Sequence, residues 1–364
     1  MKLSRGLLWM MAFFFGGIFV CGQPMLASTV QVGGCLPNIK NYSSITAAVG
    51  AVAAGSVVKV CPGTYAEQFI INTPLTLQGV KSGNSDRAVI TASGANLSSN
   101  VDSIFGDPVA AQVLVLSGPV NISNITLDGT GNNQNNLVDI VGIFYASGSS
   151  GTVDGVTARL QSGNLRGYGI WAENGNATSG SVTIQNCDIH DVDAWGIKVG
   201  SNQSPPTLTA TIKGNMITGS GGVNDSAAGN ITNNVLAVGA IGIYAGITAS
   251  NSVLNNTISI TNPPGILGII LGSFGGIIKY NSVFNLGDFE LSTVAIDVHN
   301  SSSATVEFNT IKDADIGVWA SCQSSPLISG NTIWDAFFGV EGVFSAQATM
   351  NKYHNVDNIL LGGC

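Results

Sequence analysis

A short phrase centred on asparagine recurs through the second half of the chain, and it limits what the chain can fold into. It reads Ile212-Lys-Gly-Asn215-Met-Ile217, Ile231-Thr-Asn-Asn234-Val-Leu236 and Val253-Leu-Asn-Asn256-Thr-Ile258. It continues as Ile278-Lys-Tyr-Asn281-Ser-Val283, Val306-Glu-Phe-Asn309-Thr-Ile311 and Ile328-Ser-Gly-Asn331-Thr-Ile333. The asparagines are spaced 19, 22, 25, 28 and 22 residues apart. Periods of this size mark stacked repeats. Apolar residues three before and two after each Asn lie in short alternating runs, the pattern of a strand with one buried face. Two strands meeting at a bend about every 22 residues describe one coil of a solenoid, whose neighbouring coils pair in parallel roughly 4.8 Å apart. Each Asn then rests on the Asn of the next coil, and amide side chains carry the donors and acceptors to satisfy one another. Helical repeats do not fit, because Asn, Gly and Thr are weak helix formers and no segment holds a 3.6-residue period.

A second phrase alternates with the first: Gly142-Ile143, Gly169-Ile170, Gly196-Ile197, Gly242-Ile243, Gly268-Ile269, Ala295-Ile296, Gly317-Val318 and Gly339-Val340. It supplies a third strand to each coil. Upstream the Asn position is held by Ile125, Val156 and Cys187, and Asn351 makes a weaker last rung. The expected fold is all-β: a parallel solenoid of three short strands per coil and about ten to twelve coils.

Residues 1–27 read as a secretory leader, with Lys2 and Arg5 before the apolar run Gly6–Cys21. That run is too short for a stable membrane anchor. Residues 28–364 form one expected domain. Within it, 40–80 hold an N-terminal cap and the first coil, 81–111 an excursion rich in Gly, Ser, Asn and Asp, and 112–353 the coils. Ser44 is placed to cap a short helix carrying Ile45, Ala48, Val49 and Val52 on one face. Such a cap is needed because a solenoid end exposes unpaired strand edges. Export permits disulfides. Cys35 and Cys61 flank the first element and are expected to pair, Cys322 with Cys364 likewise, leaving Cys187 as a buried, inert thiol at the ladder position. Net charge is −8, and Lys2 and Arg5 are lost with the leader, which argues against nucleic acid as a partner.

Three strands per coil with an Asn column at one bend resembles the right-handed parallel β-helix of the pectate lyase and pectin lyase-like superfamily. The stretch Gly55 to Glu67 is similar to the first coil of pectinesterases, although their later motifs of Gln, Asp and Arg have no counterpart here. The resemblance implies a polysaccharide ligand and a cleft along the strand that begins with the Gly-Ile phrase.

Alternation then picks the outward side chains of that strand: Trp171, Glu173, Lys198, Tyr244, Ile270, Asp297, His299, Trp319 and Glu341. Flat rings stack on sugar faces and polar groups take hydroxyls, so Trp171, Arg166, Tyr244, Trp319 and Glu341 are the expected substrate-binding residues. Asp297 and His299 lie two apart on one face, the spacing of a carboxylate–imidazole acid–base pair or of a surface hydrogen bond. The segment Ala295-Ile-Asp297-Val-His299 is similar to the Asp-Pro-His motif of mannuronan C5-epimerases, with Val298 for Pro and Val294 where those enzymes place Tyr. Lys198 falls about four rungs away, roughly 19 Å at strand spacing. A second cluster gathers Arg166, Trp171, Glu173, Asp191, Asp193 and Lys198. There Lys198 and Glu173 are candidate β-elimination groups, and Asp191 and Asp193 candidate Ca²⁺ ligands. Two function classes remain open: a lyase- or epimerase-type enzyme, and a non-catalytic carbohydrate-binding or surface protein. Both are secreted.

Overall fold

Runs such as Leu208–Lys213 alternate buried and exposed side chains along their length, and a strand with one apolar face must bury it against another such face. The chain does so by coiling. A computed structural model describes residues 26–81, 87–94, 97–132, 137–175, 179–202, 206–246, 251–261, 266–272, 275–287, 293–299, 302–343 and 347–362. Residues 1–25 of the expected leader and the Cys364 end of the Cys322–Cys364 pairing lie outside these residues. Among the described residues, one 14-stranded sheet collects the strand before each ladder position and a 19-stranded sheet collects the rest. Coil-to-coil pairing is parallel, as in Val182↔Ala210, Ile184↔Ile212 and Ile212↔Ile231. The fold is a right-handed parallel β-helix.

The asparagine column forms as expected. Nδ2 of Asn215, Asn234, Asn256, Asn281, Asn309 and Asn331 donates to Oδ1 of the next Asn at 2.9–3.0 Å. The backbone N–H of each donates to the same oxygen. Above the column, Cys187 N–H donates to Asn215 Oδ1 at 2.9 Å. The Cys187 thiol is free, buried and pushed up to about 12 by desolvation, so it is not nucleophilic. The residue before each ladder position adopts left-handed backbone: Asn124, Gly155, Asn186, Gly214, Asn233, Asn255, Tyr280, Phe308, Gly330 and Met350. Asn and Gly tolerate that conformation best, which accounts for the Asn-Asn and Gly-Asn pairs in the phrase.

The glycine of the Gly-Ile phrase has a different cause. A Cβ on Gly142, Gly169, Gly242, Gly268 or Gly317 would fall 2.5–2.7 Å from the carbonyl oxygen of the equivalent residue one coil on. The corner is tight enough to favour glycine, and Ala295 is the largest side chain that any copy of the phrase places there. The following Ile or Val enters the core, and Ile143, Ile170, Ile197, Ile243, Ile269 and Ile296 are fully buried. Burial of each such side chain contributes about 1.5–3 kcal/mol.

Several expectations are refined. Where no loop intervenes, the second and third strands of a coil fuse into one bent strand, as in Asp188–Ser201 and Thr332–Glu341. Thr29–Val32 and Lys40–Tyr42 precede the cap and extend the first sheet beyond the coils. The cap is helix Ile45–Ala51, with Ser44 Oγ accepting from Ala47 N–H. The Glu67 carboxylate accepts the Ile45 and Thr46 N–H groups. Cys35 and Cys61 are disulfide-bonded. The excursion is shorter than 81–111, because Ala88–Thr91 and Pro108–Val115 are strands of the solenoid. What departs from the coil is a hairpin in which Val101 and Asp102 pair antiparallel with Val109 and Pro108.

Candidate functional site

The outward residues selected by alternation do form one row. Register runs Phe144↔Trp171↔Lys198↔Asn224↔Tyr244↔Ile270↔Asp297↔Trp319↔Glu341, each one rung from the next. Asn224 belongs to this row too, after Gly222-Val223, a further copy of the phrase. Lys198 and Asp297 are four rungs apart, as the spacing implied. A second outward row lies beside the first: Tyr168↔Trp195↔Gly221↔Ile241↔Leu267↔Val294↔Ile316↔Phe338. Its signal was legible, since an aromatic or aliphatic residue precedes the corner Gly in most coils.

At the downstream end the two rows enclose a groove of about 430 Å³. Asp297, Trp319 and Glu341 stand along one side, with Leu267, Val294, Ile316 and Phe338 along the other. Trp319 is half-exposed. The His299 ring is tilted against it, with centroids 5.4 Å apart. His299 Nδ1 lies 3.6 Å from Asp297 Oδ1, just beyond hydrogen-bond reach, and neither atom has another partner among the described residues. Burial between Ile270 and Trp319 pushes the Asp297 carboxyl up to about 6, against the lowering pull of His299. Burial likewise raises Glu341. A carboxyl that titrates near 6 beside an imidazole suits proton transfer near neutral pH.

Tyr244 reaches this region over a glycine floor. A Cβ at Gly246 would lie 2.9 Å from the Tyr244 ring, and one at Gly272 would lie 3.0 Å from its hydroxyl. Gly272 pairs with His299, so the Tyr244 hydroxyl projects toward the rung of His299.

The upstream cluster assembles only in part and is not an open groove. Trp171 and Glu173, expected on the surface, are 1% and 3% exposed. They point outward from the coil, but the hairpin covers them. Ile104 N–H donates to Glu173 Oε1 at 2.8 Å, and Val101 packs on a cluster containing Phe144, Tyr168 and Trp171. Burial pushes the Glu173 carboxyl up to about 7 and lowers Lys198. Lys198 Nζ sits 3.6 Å from the Trp171 ring centroid and 4.9 Å from that of Tyr168. Arg166, expected to meet substrate, is held by Asp139 at 3.1 Å.

Asp191 and Asp193 do not form a ligand pair. Asp193 accepts from Ser162 Oγ and from Gly163 and Gly167 N–H, fixing the turn that carries Arg166. Asp191 turns to His190 at 2.7 Å. Among the described residues no group of three or more His, Cys, Asp or Glu side chains is arranged to hold a metal ion.

Residues 168–333 match the family model described as right handed beta helix region. A comparison with curated proteins finds no match. Among solved structures, the GH136 lacto-N-biosidase from Eubacterium ramulus is similar at 10% identity, over 92% of this chain and 68% of that one, with a TM-score of 0.62. The surface adhesin PfbA of Streptococcus pneumoniae is similar at 13% identity, over 86% and 85%, with a TM-score of 0.57. A periplasmic alginate epimerase is similar at 12% identity, over 84% and 77%, with a TM-score of 0.50. Repeat, topology and matches together show that the chain has the right-handed parallel β-helix fold. At these identities the likeness to solved structures is one of fold, and the fold hosts many chemistries.

Proposed function

We propose that this is an extracytoplasmic protein that binds polysaccharide along the ribbon from Tyr244 to Glu341. The observation that carries the reading is Trp319, half-exposed between Asp297 and Glu341 on adjacent rungs and facing an apolar row across the groove. An indole face flanked by carboxyls, one rung apart, matches the alternating apolar faces and hydroxyls of a sugar chain. The fold neighbours include a lacto-N-biosidase, an alginate epimerase and an adhesin, which fits both a glycan ligand and a location outside the cytoplasm. The Cys35–Cys61 disulfide fits the same location.

A second reading, turnover of the bound chain by a lyase- or epimerase-type reaction, is favoured by the Asp297–His299 pair and its raised carboxyl. The two are separated by titrating alginate, polygalacturonate and a neutral glycan, with and without Ca²⁺. Unsaturated products are followed by ultraviolet absorbance, and epimerised residues by NMR of anomeric protons. Trp319→Ala is expected to weaken binding about tenfold, the loss of ~1–1.5 kcal/mol of ring contact. Unchanged affinity in Trp319→Ala defeats the groove as the binding site. Product formation that stops in Asp297→Asn while affinity holds establishes turnover. Binding with no product leaves the protein a non-catalytic binder.

A further inference from the structure

The upstream end of the ribbon carries aromatic rings in the same row as the groove, yet they are covered. We propose that the hairpin from Val101 to Val109 is a strap that opens to add the Phe144–Trp171 pair and Lys198 to the glycan groove. The proposal rests on the polysaccharide reading above.

Four observations support it. First, the hairpin is bound mainly to its own strand. Val101 and Asp102 pair with Val109 and Pro108, Asn100 N–H donates to Val109 O, and Ser103 N–H donates to Asp107 O. Across to the ribbon, Val109 at the base of the hairpin pairs with Asp139, and beyond that base the polar contacts among the described residues are the Ile104–Glu173 bond and an Arg166–Asp107 ion pair at 4.0 Å. An arm with so few outward bonds beyond its base can lift about the solenoid strand that anchors it. Second, closure leaves polar atoms without partners. Trp171 Nε1 and Glu173 Oε2 have none among the described residues, although both side chains are nearly inaccessible. Packed interiors seldom retain such atoms, whereas a hydroxylated ligand offers an acceptor to the indole and a donor to the carboxyl. Third, a pocket of about 340 Å³ lies beside the Ile104–Glu173 contact, lined by Asp102 and Ser103 of the strap tip and by Ala146 and Gly175 of the ribbon. Fourth, Trp171 and Lys198 occupy adjacent rungs of the row that runs on to Asp297 and Trp319. Opening therefore lengthens one groove and does not create a separate site.

A covalent lock tests this. A Cβ built on Gly175 lies 3.3 Å from Ile104 Cγ2, close enough for Ile104→Cys with Gly175→Cys to bridge when oxidised. Amide exchange of position 104 is compared with that of Asn256 in the ladder, in the oxidised and reduced double variant and in the unmodified protein. The reduced and unmodified proteins are expected to exchange at 104 at least about a hundredfold faster than at Asn256, and oxidation to slow it at least about tenfold. Affinity for alginate or polygalacturonate is expected to fall about tenfold on oxidation and to return with reductant. Equal protection at 104 and Asn256 in the unmodified protein overturns the strap, as does glycan affinity indifferent to the lock. If neither polymer binds any form, the polysaccharide reading fails and the groove extension with it. Exchange at 104 then decides opening by itself.

Discussion

Removing one amide from the middle of the ladder strands groups on both sides of it. Asn256 Oδ1 accepts the Asn234 N–H at 3.0 Å and Nδ2 at 2.9 Å, and its own Nδ2 donates to Asn281 Oδ1 and Ile231 O. In Asn256→Ala all four bonds vanish. Asn281 Oδ1 keeps the Asn256 N–H, but the Asn234 N–H, one Asn234 amide proton and Ile231 O are left in a site that is 2% exposed or less. At ~1–3 kcal/mol for each of the three buried groups left unpaired, the cost is roughly 3–9 kcal/mol. Asn351, at the last rung, is half-exposed, so water can replace what Asn351→Ala removes, and the cost there is about 1 kcal/mol. Stacked coils can unfold in pieces. The assay is therefore urea titration together with residue-resolved amide exchange, which locates the weakened coils. The expected result is loss of protection at Asn234 and its neighbours in Asn256→Ala, and near-native exchange throughout in Asn351→Ala. Equal costs for the two variants, within about 0.5 kcal/mol, refute the argument that the column stabilises through mutual satisfaction.

Two further outcomes follow from the same coordinates. Gly242→Ala and Gly272→Ala make the same chemical change, but a Cβ at 242 meets Gly268 O and Ile258 Cγ2 at 2.5 Å while one at 272 meets the movable Tyr244 hydroxyl at 3.0 Å. Denaturation should show the first costing at least ~2 kcal/mol and the second under ~1, with Gly272→Ala altering glycan affinity through the displaced Tyr244. Burial raises Glu173 from about 4.5 to about 7, with Lys198 and Asp139 the charged groups acting on it. The closed strap therefore prefers the protonated carboxyl: closure is at full strength below ~4.5 and weakens as pH rises through about 7, by up to ~3 kcal/mol. Exchange at Ile104, corrected for its intrinsic pH dependence, should accelerate between about pH 4.5 and 7, level off above, and lose that dependence in Glu173→Gln. Tighter closure at pH 8 than at pH 5 would contradict the sign.

The fold was readable because its main constraint is local and repeated. An Asn in each coil from Asn215 on, a left-handed residue before it and an apolar residue two beyond it each leave a mark at a fixed offset. The outward row was readable for the same reason, since alternation follows from strand geometry whatever lies above the strand. What lies above is another matter. Nothing in the hairpin region, rich in Gly, Ser, Asn and Asp, encodes that Ile104 will meet Glu173 some 69 residues later, so Trp171 and Glu173 read as surface groups and are buried ones. The same blindness hid Asp193, whose carboxylate organises a turn through three short hydrogen bonds and is not free to bind an ion. Side-chain direction is a property of one strand, whereas accessibility depends on every segment that can reach it. In a solenoid the first is written in the repeat, while the second is left to the hairpins that interrupt it. The groove at Trp319 and the covered rings at Trp171 thus differ in cover, not in register. A mechanism for this chain has to explain why only one of two similar stretches of the same row stands open.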